Sequence, residues 1–336
     1  MKCGSNKGKE PVIDVDDLSP RSKRTRSSSG VFDPTKFRSY AAFQTHENYF
    51  RDATPLLERV VDQSSLFDTD ISKWFAHKDW NYLLFDFNVA YENLVKEFYA
   101  NAIVEGGELK CWVRRKSFLV SPTYLAEILH INRPMLKNSP VYDDLCLDEE
   151  LLRDGLRQDF EFSSNGNSVS VSFLPPKLRV LTIVMFHNLY PLSSTRYMNL
   201  GCALFLHDLI SDVEIDICAN IFHILCKTVL RTESRMCVPF CYLISRILKL
   251  KGIWPTDDDS PYTKLSPITI RTFNASIGHS WKKVKLETCT TPSGLRSSSF
   301  SFDDKLDNIV TSVHELTTKI SELTSILHHH SIRWDM

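Results

Sequence analysis

The sequence predicts a mainly α-helical protein with a few short β-strands, built as a single globular helical core between a disordered tail and a coiled coil. Three observations lead there. Apolar residues recur at helical spacing through most of residues 33–286. Residues 1–30 are poor in large apolar side chains and rich in Gly, Ser, Lys and Arg. Near the other end, apolar residues repeat every three and four positions. The expected organisation is a basic tail over 1–32, a core over 33–286, a Ser/Thr linker over 287–301 and a coiled coil over 302–330.

Composition narrows the function classes. The chain has 336 residues, 43% of them hydrophobic, so most of it can fold. A net charge of -1 excludes a broadly basic, histone-like nucleic-acid binder. The nine cysteines are an odd count and follow no disulfide framework. No secretory start and no membrane-length apolar run stand in the sequence. These features lead us to expect a soluble protein of a reducing, intracellular compartment.

The tail carries two short motifs. Arg21, Lys23, Arg24 and Arg26 form a basic cluster of the kind that lies in an acidic import receptor, which leads us to expect nuclear residence; a solubilising tail is the plain alternative. Val12, Ile13 and Val15, followed by Asp16 and Asp17, form a β-branched strand with trailing acids. Such a strand can add to a partner's sheet edge, and it resembles the motif that binds small ubiquitin-like modifier proteins. Ser19-Pro20 would add acidity there if phosphorylated.

Within the core, Ile71–Val104 reads as a long helical stretch, with Asn88–Ala102 its clearest part and Gly106-Gly107 its stop. Its apolar residues, Val89 and Leu94 among them, are expected inside. Glu108–Val120 changes to strand periodicity around the basic turn Arg114-Arg115-Lys116. Ser121-Pro122 opens the next helix as cap and first residue. Residues 132–168 read as irregular, with one helix at Asp148–Gln158, and Val169, Val171 and Phe173 as a short strand. Four helices follow: Leu178–Leu189, Tyr197–Leu209, Asp216–Leu230 and Pro239–Lys251. Trp254–Ser276 reads as irregular and Trp281–Leu286 as a last short element.

Three stretches carry a family resemblance. The first is Val95-Lys96-Glu97-Phe98-Tyr99-Ala100-Asn101 with the strand and helix after it. The second runs from His187-Asn188-Leu189-Tyr190-Pro191 to Val213-Glu214-Ile215-Asp216-Ile217. The third is Val238-Pro239-Phe240 through Lys251-Gly252-Ile253. In order and spacing they resemble the plant transposon protein family, over about residues 75–255. The family often has Trp where Leu181 stands, His at Ser194 and a second Pro at Cys241, which makes these packing positions. The resemblance implies a mobile-element origin and nuclear residence. It implies no reaction and brings no catalytic residues.

No catalytic constellation emerges, so no enzyme activity and no cofactor are expected. Asp208, Asp212 and Asp216 have helical spacing, as a nuclease metal site would need, but read better as solvated acids. Val141-Tyr142-Asp143-Asp144 lacks the flanks of a polymerase motif. Cys218, His223, Cys226, Cys237 and Cys241 sit among aliphatics and read as buried thiols rather than zinc ligands. His328-His329-His330 offers only an adventitious metal contact. No phosphate-cradling glycine loop or nucleophile elbow is present. The candidate nucleic-acid contacts are Arg114, Arg115 and Lys116 beside Trp112, and Lys282, Lys283 and Lys285 beside Trp281; ordinary solvated surface is the alternative.

The terminal heptads place Leu306, Val313, Ile320 and Leu327 at a, and Ile309, Leu316 and Leu323 at d. This seam favours a parallel homodimer, against docking on the chain's own core or on another partner. The expected function is a non-enzymatic, self-associating assembly protein of mobile-element origin. The alternatives are a nucleic-acid-binding module using the two basic clusters and a degenerate nuclease or transposase.

Overall fold

The computed structural model describes residues 30–67, 69–75, 78–135, 142, 168–233 and 236–277. All lie in the first of two compact units, residues 1–281. The tail motifs, the Asp148–Gln158 helix, Lys282–Lys285, the histidine run and the heptad seam lie outside the described residues.

The architecture is mainly helical with short strands, as expected. Helix α1 spans Tyr40–Thr45 and runs on as a π-turn over His46–Phe50. Strand β1 is Thr54–Pro55, and helix α2 is Asn81–Leu84. Helix α3, Glu92–Asn101, leads into the antiparallel sheet β2 (Ile103–Glu105), β3 (Glu108–Val113) and β4 (Lys116–Val120). Helix α4 is Pro122–Leu129. Strand β5, Ser168–Ser170, pairs with β6, Tyr197–Asn199, around helix α5, Pro176–Val184. Helices α6, Leu200–Ile210, and α7, Ile217–Leu230, follow. Strand β7, Cys237–Val238, runs parallel to β1 and leads into helix α8, Cys241–Leu250.

Local signals explain several elements. Ser121 Oγ accepts from Tyr124 N at 3.2 Å, and Asn199 and Asp216 cap α6 and α7 in the same way. Gly106 and Gly107 take φ of +61° and +77°, which a tight β-turn requires.

The structure corrects other expectations. The stretch 71–104 is not one helix. A 3-10 turn, Asp70–Phe75, and the short α2 come first, and α3 starts only at Glu92. The residues before it are extended because Glu92 N and Ala90 O bond Ser260 O and Tyr262 N across the chain. Gly106-Gly107 joins β2 to β3 rather than ending a helix. Tyr197 begins a strand, not a helix, since Ser170 pairs with it. Val171–Phe173 is a 3-10 turn. Residues 270–277 are helical within the segment expected to be irregular. Val89 is 42% exposed.

Helix α3 is buried over Leu94–Asn101, polar residues included. Each polar side chain there therefore needs a partner. Lys96 donates to Arg51 O at 2.6 Å. Tyr99 donates to Pro239 O at 2.8 Å. Asn101 accepts from Arg38 N and donates to Lys36 O and Glu97 O. Glu97 meets Arg114. A second buried clamp is Asn188, which donates to Arg59 O and Leu83 O and accepts from Arg59 N.

Helix α8 lacks a local cap. Phe240 sits there at φ +54° with no capping side chain. Glu58, 4% exposed, replaces it from 184 residues away, accepting from Tyr242 N at 3.1 Å and Leu243 N at 3.0 Å. Burial outweighs these bonds and pushes the Glu58 carboxyl up to about 7 from 4.5. The folded state thus holds a proton that the unfolded chain has lost across this window, so stability falls as pH rises from about 4.5 to about 7. Between pH 5 and 8 the wild type should lose on the order of 3 kcal/mol relative to Glu58→Gln, read from urea unfolding at each pH. A pH-independent difference between the two proteins would refute this assignment.

Candidate binding cleft

A cleft of about 220 Å³ opens between the approach to α3 and the end of α8. Val89, Leu94, Ile253 and Pro255 give it apolar walls, and Asn88, Ser245, Lys249 and Trp254 supply polar and aromatic groups. Trp254 is 60% exposed, with Lys249 Nζ at 5.8 Å from its ring centre. Ser245 is 8% exposed, and its Oγ is buried without a hydrogen-bond partner.

A buried ion cluster holds the segment that forms one wall. Arg114 grips Glu97 bidentately, Nε to Oε2 and Nη2 to Oε1, both at 2.9 Å. Its Nη2 also donates to Asp259 at 2.8 Å, while the other Asp259 oxygen accepts from Thr256 N and Oγ1. Burial opposes the Arg114 charge, but these bonds outweigh it and hold its pKa well above the usual value. Burial likewise pushes Asp259 up, and the bonds from Arg114 and Thr256 more than reverse that. One cation between two carboxylates leaves negative charge in excess, and burial raises Glu97. Arg114 and Arg115 take φ of +48° and +65°, a conformation that favours Asn or Gly, so the ion cluster fixes a strained turn.

The predicted site residues fall in different places. Arg114 is engaged inside the fold. Lys116 Nζ donates to Lys251 O at 3.1 Å and Gly252 O at 2.8 Å. Only Arg115 of the turn is exposed without a partner given by a neighbouring group. The turn is therefore not the free basic cluster that its sequence suggested; Glu97 and Asp259 lie 17 and 145 residues from Arg114, out of reach of any local pattern.

The three aspartates do not share a helix face. Asp208, on α6, accepts from Tyr142 Oη at 2.8 Å. Asp212 lies beyond the helix at φ +53° and meets Lys78 at 3.2 Å. Asp216 caps α7 and binds Arg133 Nη2 at 2.6 Å. Asp216 is buried, which corrects its reading as a solvated acid. Cys218, Cys226 and Cys241 are buried and Cys237 half-buried. Burial pushes the Cys218 thiol up to about 12 and Cys226 to about 11, so both stay protonated at neutral pH. No group of metal-ligating side chains stands among the described residues. Among them, too, no helix is long and apolar enough to cross a membrane.

Leu181 and Cys241 are fully buried, as packing positions should be, whereas Ser194 is exposed. The cleft itself was missed. Its one sequence signal is Trp254 in a segment otherwise rich in Pro, Ser and Thr.

Arg114→Met strands two buried carboxylates and should cost about 3–5 kcal/mol of stability in denaturant unfolding. Arg114→Lys keeps the charge without the fork and should cost less. Glu97→Leu combined with Arg114→Met should recover part of the loss, because the most buried charge goes too. An additive double-mutant cycle would show that the two side chains act independently.

The sequence model of one family, described as "Putative plant retrotransposon-related domain", matches residues 76–253, more than half of the chain. No curated protein and no solved structure matches. The matched span contains α3, the Arg114 turn, Asn188 and α8 and stops just before Trp254, and the chain belongs to this plant retrotransposon-related family.

Proposed function

We propose that the protein is a non-enzymatic assembly protein of mobile-element origin. The supporting observation is where its buried carboxylates are directed. Glu58 caps α8, Glu97 and Asp259 hold Arg114, and Asp216 binds Arg133 while capping α7. A catalytic carboxylate must keep an oxygen open to substrate or metal, and these four serve the scaffold instead. The separation of Asp208, Asp212 and Asp216 weighs against the degenerate nuclease.

In this reading the chain self-associates along Leu306, Ile309, Val313, Leu316, Ile320, Leu323 and Leu327. It enters the nucleus on Arg21, Lys23, Arg24 and Arg26, and Val12, Ile13 and Val15 meet a small ubiquitin-like modifier. The support for these parts is the sequence pattern.

Light scattering of the full chain should give twice the chain mass at tens of micromolar. Leu316→Asp with Ile320→Asp should give the monomer mass with unchanged core unfolding. A monomeric wild type, or a variant that stays dimeric, would remove the seam from the account. Metal-dependent cleavage of single- or double-stranded nucleic acid by the purified chain would remove the non-enzymatic reading.

A further inference from the structure

We propose that the cleft beside Trp254 holds one base of a single-stranded nucleic acid, with neighbouring phosphates on Lys249, Lys251 and Lys116. This adds a ligand to the assembly reading, and of the Arg114–Lys116 turn it uses Lys116 alone.

Five observations support it. Trp254 leaves most of a large ring in water at the cleft, where a planar ligand can stack. Ser245 is among the residues that line the same cleft, and its Oγ, buried beneath the surface, has no hydrogen-bond partner. Asn88 adds an amide to the lining. The volume, about 220 Å³, lies below the roughly 300–1,000 Å³ of small-molecule pockets, which suits one ring better than a whole cofactor.

The fifth observation is charge. Lys249 and Lys251 rest over the Trp254 and Tyr124 rings, and Lys116 reaches the carbonyls of Lys251 and Gly252. Rings and carbonyls orient an ammonium group but do not neutralise it. None of the three lysines meets a carboxylate within ion-pair distance among the described residues. Gly252 allows this gathering. It sits at φ +69°, and a Cβ there would stand 3.0 Å from Lys116 Nζ. The exposed Asp257 and Asp258 follow Pro255 in the chain.

Apolar walls alone would also suit a peptide side chain. Three uncompensated cations, an exposed indole and an unpaired hydroxyl together fit a nucleotide better. Stacking on an aromatic ring with cations along the backbone is how single strands are held, and a duplex hides the base faces that Trp254 would need.

The test uses the full chain and fluorescence anisotropy with labelled oligothymidine of about twelve nucleotides, at roughly 50 and 200 mM salt. The basic tail and Lys282–Lys285 contribute equally to every variant, so differences isolate the cleft. Trp254→Ala should weaken single-strand binding about tenfold and leave binding to a duplex unchanged, and Trp254→Phe should restore most of the loss. Lys249→Gln with Lys251→Gln should flatten the salt dependence by about 0.7 per phosphate lost. Circular dichroism of each variant confirms folding, which the exposure of Trp254 favours. Equal affinity of Trp254→Ala and wild type, or no oligonucleotide binding by the wild type, overturns the proposal. So does a fluorine-labelled Trp254 resonance that shifts with an acidic peptide of residues 11–17 and not with oligothymidine; the cleft would then belong to a protein partner.

Discussion

The burial of helix α3 on every side is the constraint on which the rest of the structure depends. A helix with one wet face can leave its polar residues there. Helix α3 has none over Leu94–Asn101, yet it carries Lys96, Glu97, Tyr99 and Asn101. An unsatisfied polar group in that position costs more than a typical hydrogen bond returns. Each of the four therefore reaches out to a different segment, at residues 36–38, 51, 114 and 239. Packing and polar satisfaction select the same arrangement, which specifies one fold more sharply than apolar contact alone.

The same logic accounts for the functional character of the core. Among the described residues, Glu58, Glu97, Asp216 and Asp259 are held in structural bonds, and burial keeps the Cys218 thiol protonated. The cleft at Trp254 is assembled from residues 88–94, 245–249 and 253–255, and the Arg114 cluster holds its outer wall through Asp259 and Thr256. Scaffold and cleft are thus coupled through one arginine.

Legibility followed the range of the interactions. Helices α4 and α7 were readable because their caps and periodicity are local, marked by Ser121 and Asp216, and α8 because of its periodicity and the Gly252 stop. The start of α3 was not, because Ala90 and Glu92 pair with residues 260–262. Strands β2 and β6 are three residues each, too short for periodicity to register. The Glu58 cap, 184 residues from its helix, leaves no local trace. Arg114-Arg115-Lys116 looked like a solvated turn for the same reason. The family stretches around Val95–Asn101 and His187–Pro191 were readable as a pattern, and the structure gives the pattern a physical meaning: they hold several of the core's non-local bonds.

Native-state hydrogen exchange over α3 tests this account most directly. If the helix anchors four segments at once, the amides of Leu94–Asn101 can open only when the whole core does. Their exchange free energies should then equal the global unfolding free energy and move with it in denaturant. Exchange through a smaller local opening, with the remaining core still protected, would contradict the account.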